Sequence, residues 1–385
     1  MASTFMTPAL AVLGQGALEK AKEYWKGYGK KALVVTGKHV AKSQMMERLK
    51  RALTETGTDY TVFDGITGEP TDVMVEEGAK LYREERCEFC IGIGGGSPLD
   101  SAKAIAARIT NPEPLSFYMG KEIPNPTPPV VAIPTTAGTG SEATKFTIIT
   151  DTSANVKMLL KGDVLVPRLA VVDPDCSVSS PKSVVAATGL DALTHAIEAY
   201  TSQKATPMTD TLALSAIKRI FQYLPRAYRE TEDKRAAEEM AMAAFEAGIC
   251  INNASVTLVH GMSRPIGALF HVPHGLSNAM LLKECLSYAL DGAYERFADI
   301  AKAIGAAGEE MQPQEAAKKM IVKLEQLCHT CEVPTLRAFG INEREFMNHI
   351  DKMSRDAMES GSPGNTRKAV HLGDVAWIYR KLWQE

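Results

Sequence analysis

Four residues in the second half of the chain carry side chains that bind divalent metal ions. Asp191 and His195 lie four apart in Thr188–Tyr200 (TGLDALTHAIEAY), so on a helix they share one face. His260 and His274 follow in Val259–His274 (VHGMSRPIGALFHVPH). The first ends a long uncharged helical run, and the second sits in a Val-Pro-His-Gly loop or helix start. One carboxylate and three imidazoles make a mixed nitrogen–oxygen site suited to Fe(II) or Zn(II), with coordination left for a substrate oxygen. Plainer readings stand beside this one. Thr188 with Asp191 resembles a capping pair, which would spend the carboxylate locally. His195 also suits the role of a hydrogen-bonded core histidine, and His271, three before His274, competes for the same place. His39, His329, His349 and His371 stand in polar surroundings and read as surface residues. Cys87-x-x-Cys90 and Cys328-x-x-Cys331 have the local spacing of a four-thiolate zinc site. About 240 residues separate the two pairs, far outside zinc-ribbon spacing, so separate reduced thiols are the better reading.

Two glycine-rich loops suggest a phosphate-bearing ligand. Ile91–Asp100 (IGIGGGSPLD) places three glycines between a strand and a helix, where backbone approaches a phosphate closely and the helix presents free N–H groups. It fails the G-x-G-x-x-G dinucleotide fingerprint, because Ser97 occupies the sixth position counted from Gly92. Pro134–Ala143 (PTTAGTGSEA), again after a strand, adds hydroxyls on Thr135, Thr136, Thr139 and Ser141. Either loop alone is equally well a tight turn; two at strand ends suit a nucleotide with a pyrophosphate and sugars.

These residues need elements to place them. In the first half, strands at Lys31–Thr36, Tyr60–Phe63, Cys90–Ile93, Val130–Ile133 and Leu169–Val172 alternate with helices at Met45–Leu53, Asp72–Glu85 and about Leu99–Arg108. Such interleaving predicts a parallel sheet covered on both faces. From about Ser183 the chain is rich in Ala, Leu, Met and Glu at helical spacing. Candidate helices are Gly189–Thr201, Pro207–Leu224, Thr231–Ile251, Leu282–Tyr288, Gly292–Ile304, Pro313–Cys328, Glu343–Met353 and Val375–Trp383. The Pro174–Ser183 stretch is the expected boundary, giving an α/β nucleotide-binding domain over 1–180 and a helical metal-binding domain over 181–385. At 385 residues two domains are the sensible prior. The formal net charge of −3 gives no electrostatic reason to expect nucleic acid or an acidic membrane. The uncharged runs Ile123–Ser141 and Ala247–Ser263 are too broken or polar for a membrane span, and 1–20 lacks a signal-peptide pattern. Seven cysteines, an odd number, point to a reducing, cytoplasmic compartment.

Over almost its full length the sequence resembles the iron-containing (group III) alcohol dehydrogenases. The resemblance rests on GGGSPLDSAKAIA at 94–106, PTTAGTGSEAT at 134–144, ATGLDALTHAIEAY at 187–200 and VHGM…PIGA…VPHGLSNAMLL from 259 to 282. It implies a Rossmann-like N-terminal domain and an all-α C-terminal one, the dehydroquinate synthase-like architecture. It implies Asp191, His195, His260 and His274 as metal ligands, with Fe(II) first and Zn(II) second. It places Gly95, Gly96, Ser97, Asp100, Thr135, Thr136 and Lys157 around NAD. It also implies interconversion of a small alcohol and its aldehyde, in a homodimer or larger homo-oligomer. The related glycerol dehydrogenase and dehydroquinate synthase enzymes, and a non-catalytic metal- or nucleotide-binding protein, are the rival readings.

Two positions depart from the family pattern. Many relatives carry a histidine before a proline, four residues after the third ligand; here the pair is Arg264-Pro265. A permanent cation there suits an aldehyde with an anionic group, such as sulfoacetaldehyde or a semialdehyde. Equally, Arg264 would pair with a protein carboxylate or a cofactor phosphate. At Gly37, NAD-selective relatives often have an aspartate that repels a 2′-phosphate. Glycine removes that repulsion, so NADP is not excluded, although NAD stays first.

Overall fold

The computed structural model describes residues 4–384 apart from 155 and 179. They fall into two compact units, Met6–Val178 and Ser179–Glu385. The first starts later than expected, because Thr4 and Phe5 group with the second.

The first unit runs β1 (Leu10–Leu13), α1 (Ala17–Trp25), β2 (Lys31–Val35), α2 (Lys38–Ala41), α3 (Gln44–Glu55), β3 (Asp59–Phe63), α4 (Asp72–Glu84), β4 (Phe89–Gly94) and α5 (Gly96–Thr110). It continues with β5 (Val130–Pro134), β6 (Phe146–Asp151), β7 (Val156–Lys161) and β8 (Leu169–Val172). Six strands form a sheet in the order β1-β8-β5-β4-β2-β3, parallel throughout. Both faces are covered. Ala32, Val34, Phe89, Ile91 and Ile93 pack with Trp25, Met46 and Leu49 of α1 and α3. Leu33, Val35 and Cys90, pointing the other way, pack with Val75, Ala79 and Ile105 of α4 and α5. Burial on both sides is why these strands are continuous apolar runs rather than alternating ones.

The chain reverses its winding between β2 and β4: β3 lies beyond β2, whereas β5 and β8 lie beyond β4. At such a point the loops leaving adjacent strand ends diverge and open a crevice. Over β3-β2-β4-β5-β8 the order is 2-1-3-4-5, not the 3-2-1-4-5-6 order of the dinucleotide fold, and β1 is added at the far edge. The strand β1, the helix α1 and the antiparallel β6–β7 hairpin went unseen in the sequence. β1 has four residues, and only Val12 of it is buried, so its local signal is weak.

The second unit holds α6 (Lys182–Thr201), α7 (Pro207–Arg229), α8 (Lys234–Ala254), α9 (Leu258–Phe270), α10 (His274–Ala289), α11 (Tyr294–Ala303), α12 (Pro313–Thr330), α13 (Leu336–Phe339), α14 (Glu343–Glu359) and α15 (Leu372–Lys381). The expected helix over Thr231–Ile251 is α8. The uncharged run around it is two helices, because the chain turns at Ser255 (φ 65°) and α9 leaves at 103° to α8. His260 is therefore the third residue of a new helix, not the end of an old one. Among the described residues no single helix is long and apolar enough to cross a membrane. All seven cysteines are free thiols, and the two Cys-x-x-Cys pairs lie in different units.

Candidate active site

Three helices of the second unit bring Asp191, His195, His260 and His274 together. Asp191 and His195 sit one turn apart on α6, His260 opens α9, and His274 is the first residue of α10. Asp191 Oδ1 lies 3.8, 3.6 and 3.7 Å from Nε2 of His195, His260 and His274, and the four donor atoms all fall within 4.8 Å of one another. Neighbouring ligands of a tetrahedral ion at about 2.0–2.2 Å stand about 3.3–3.6 Å apart, so the donor set fits one divalent cation with little adjustment. Gly275 makes this approach feasible: a Cβ there would stand 2.4 Å from the Ala187 carbonyl of α6. His195 and His260 stack at 4.6 Å. Both are almost fully buried, whereas the His274 side chain is 40% exposed, so the cluster meets solvent on that side. Burial pushes the Asp191 carboxyl up, but the charges of His195 and His274 and the bond to His260 outweigh it and hold the group ionised.

The plainer readings of these residues fail on geometry. Thr188 lies inside α6 and donates to the Val184 carbonyl at 2.8 Å, so it caps nothing and does not occupy Asp191. His271 is the exposed left-handed residue that ends α9 (φ 53°) and stays outside the cluster. His39, His329 and His371 are exposed. His349 is half-buried, with Nδ1 2.8 Å from the Glu345 carbonyl and its ring against Phe270, so it is not a plain surface residue.

Two residues that sequence reasoning passed over also touch the cluster. Asn278, one turn after His274 and fully buried, donates to Asp191 Oδ1 at 2.7 Å. Glu198, one turn after His195, lies 2.6 Å from His260 Nδ1. Helical spacing from a candidate ligand was the available signal for both.

Arg264 stands one turn after His260 on α9. Its partner is the Ser362 hydroxyl at 3.2 Å, and among the described residues no carboxylate lies within ion-pair reach of it. The expectation of a protein ion pair is thereby overturned. Burial lowers the guanidinium's pKa, and the Glu198 charge opposes that.

In the first unit the two glycine-rich loops leave neighbouring strands β4 and β5, and the Thr135 N–H donates to the Gly94 carbonyl at 2.8 Å. The helix after the first loop begins at Gly96, three residues before the expected Leu99. Gly94 turns with φ 149°, and a Cβ there would stand 2.6 Å from the Pro98 ring. Gly95 caps α5 without a side chain, so the first N–H groups, from Gly96 and Ser97 onward, have no side-chain acceptor. Thr136 Oγ1 faces Gly95, and it is buried with no hydrogen-bond partner. An uncapped helix start beside an orphaned hydroxyl fits a phosphate-bearing ligand. Asp100 has a different place from the one expected. Its carboxylate accepts from the Ser141 hydroxyl and the Ile148 N–H and faces the buried Lys103 ammonium at 3.2 Å. Lys103 in turn donates to the Ser141 and Phe146 carbonyls, so this pair braces the second loop from behind. Lys157, on β7, pairs with Glu69 at 2.7 Å. Gly37 follows β2 at the winding reversal, and a Cβ there would meet the Ile66 carbonyl at 2.9 Å.

Comparison with known proteins bears on both units. The model of the iron-containing alcohol dehydrogenases matches residues 8–174, and that of the family's C-terminal domain matches 185–383. The NAD-dependent methanol dehydrogenase of Bacillus methanolicus is 35% identical over 98% of this chain and 99% of its own length. A crystal structure of 1,3-propanediol oxidoreductase superposes with a TM-score of 0.96 at 34% identity, covering 100% of both chains. A sulfoacetaldehyde reductase from Bifidobacterium kashiwanohense, solved with NAD+, superposes with a TM-score of 0.89 at 28% identity over 99% of both chains. With both halves matched, this chain belongs to the iron-containing alcohol dehydrogenase family and is a metal-dependent, NAD(P)-linked oxidoreductase between alcohols and aldehydes.

Proposed function

We propose that the enzyme reduces a small aldehyde bearing an anionic end, a sulfonate, carboxylate or phosphonate, to its alcohol. The observation that carries this is Arg264: a largely buried guanidinium one turn from His260, with a hydroxyl partner and, among the described residues, no carboxylate within ion-pair reach. A guanidinium has five N–H donors in a fixed fork, and most of these remain for an oxyanion. That the sulfoacetaldehyde reductase is among the structural relatives agrees with this reading.

Asp191, His195, His260 and His274 are proposed to hold one divalent ion, Fe(II) first and Zn(II) second. Such an ion supplies Lewis acidity to the alcohol or carbonyl oxygen while hydride passes to or from the nicotinamide. Asn278 steadies the Asp191 carboxylate by its donated bond. Gly95, Gly96, Ser97, Thr135 and Thr136 line the proposed phosphate and ribose site. Asp100 keeps the second loop in place behind it, and Lys157 reaches the cofactor only by leaving Glu69. NAD is the first choice of carrier. NADP is the second, because Gly37 presents no carboxylate to a 2′-phosphate.

Comparing kcat/KM for sulfoacetaldehyde, succinic semialdehyde and propanal tests the substrate class, with metal analysis of anaerobically purified protein alongside. An anionic aldehyde is expected to lead. Preference for propanal would overturn the proposal.

A further inference from the structure

One buried carboxylate outside the four ligands holds two of the elements that carry them. Glu198 lies on α6, one turn after His195 and two after Asp191, so the three share a helix face. Its side chain is fully buried. Oε1 accepts from the Thr257 hydroxyl at 2.8 Å and from the Val259 N–H at 2.6 Å, and Oε2 lies 2.6 Å from His260 Nδ1. Thr257 and Val259 belong to the first turn of α9, where Thr257 occupies the capping position without capping through its own side chain. The first N–H groups of a helix lack intrahelical acceptors, and negative charge there is favoured by the helix dipole. Glu198 thus caps α9 from a neighbouring helix, and the same carboxylate reaches the third residue of α9, His260.

We propose that Glu198 is the positioning residue of the metal site, holding the His260 proton on Nδ1 so that the Nε2 lone pair points into the cluster. An ionised carboxylate only accepts hydrogen bonds, so a neutral imidazole facing it carries its proton on the facing nitrogen. Nε2 is then unprotonated at the position 3.6 Å from Asp191 Oδ1. Glu198 also supplies a second negative charge. Together with Asp191 it balances a divalent cation, so neither carboxylate is left as an uncompensated buried charge. This inference rests on the proposed binding of an ion by the four ligands.

The isosteric variant Glu198→Gln isolates the effect. A glutamine amide has one accepting and one donating end. If its oxygen serves the Val259 N–H, its NH2 faces His260 Nδ1 and drives the proton to Nε2, blocking that ligand. Turned the other way, two N–H donors meet at Val259. Neither orientation keeps both the Val259 bond and the His260 proton on Nδ1.

Wild type, Glu198→Gln and Asp191→Ala, each prepared metal-free, would be titrated with Zn(II) against a chromophoric chelator, and melting temperatures recorded with and without the ion. Wild type is expected to take up one ion per chain and Asp191→Ala none. Glu198→Gln is expected to bind about 10- to 100-fold more weakly, with a smaller metal-induced rise in Tm. Wild-type affinity in Glu198→Gln would overturn the inference even if its metal-free Tm falls, because Glu198 would then be only a helix cap. If Glu198→Gln does not fold, Glu198→Asp serves in its place: weaker binding supports the inference, and wild-type affinity overturns it. A wild type that takes up no ion would defeat the four-ligand reading itself, and this inference with it.

Discussion

Replacing Arg264 with alanine tests the substrate assignment most directly. In the folded chain the guanidinium spends one N–H on Ser362, at 3.2 Å, and among the described residues no carboxylate lies within ion-pair reach to compete for the rest. A charge-assisted hydrogen bond contributes about 1.5–3 kcal/mol. A unit ion pair at about 4 Å is worth about 4 kcal/mol at an effective dielectric constant of about 20, before desolvation is subtracted. A net loss of about 3 kcal/mol for an anionic aldehyde follows, about a hundredfold in kcat/KM at about 1.4 kcal/mol per power of ten. Propanal offers the guanidinium nothing, so its kcat/KM should move by less than about threefold, under about 0.7 kcal/mol. Arg264→Lys keeps the charge without the fork and should fall between the two. The assay is steady-state oxidation of NADH with sulfoacetaldehyde, succinic semialdehyde and propanal, with metal content measured for each variant to exclude a damaged centre. Equal losses for charged and neutral aldehydes, or no loss at all, would show that Arg264 does not read the substrate.

Removing the metal with a chelator should abolish turnover in wild type, and Fe(II) or Zn(II) should restore it. Asp191→Ala should lose activity that neither ion restores, and turnover in fully metal-free wild type would refute the proposed chemistry. Gly37→Asp should lower NADPH turnover relative to NADH about tenfold, from about 1–2 kcal/mol of like-charge repulsion. The same change should cost about 1–3 kcal/mol of stability, since its Cβ presses on the Ile66 carbonyl; an unchanged cofactor ratio would dismiss Gly37 as a selector. Glu142 gives a pH signature. Burial pushes its carboxyl up from 4.5 to about 7, and Oε2 has no hydrogen-bond partner. The folded chain favours the protonated form, so stability is complete below about 4.5 and declines as pH rises through 7. Glu142→Gln should come within about 1 kcal/mol of wild type in urea melts at pH 5 and exceed it by up to about 3 kcal/mol at pH 8; a constant difference across that range would refute the assignment.

The fold class was legible in the sequence because its signals are local. A run such as Ala32–Val35 is apolar throughout since both faces of a central parallel strand are covered, and the glycines at the start of α5 mark a turn where a side chain on Gly94 would press on the Pro98 ring. Asp191 and His195 were legible as a pair for the same reason: a helix puts residues four apart on one face whatever surrounds it. What joins them to His260 and His274 is not local. It depends on the turn at Ser255, which starts a new helix at 103°, and on Gly275, which lets α10 approach the Ala187 carbonyl. The partners of three charged groups were likewise set only by packing. Asp100 turns to Ser141 and Ile148, Glu198 reaches the first turn of α9, and Arg264 has no carboxylate within ion-pair reach among the described residues. Sequence spacing determines which side chains share an element; only the packed tertiary structure decides which charges meet across elements, because that depends on how closely and at what angle the helices approach.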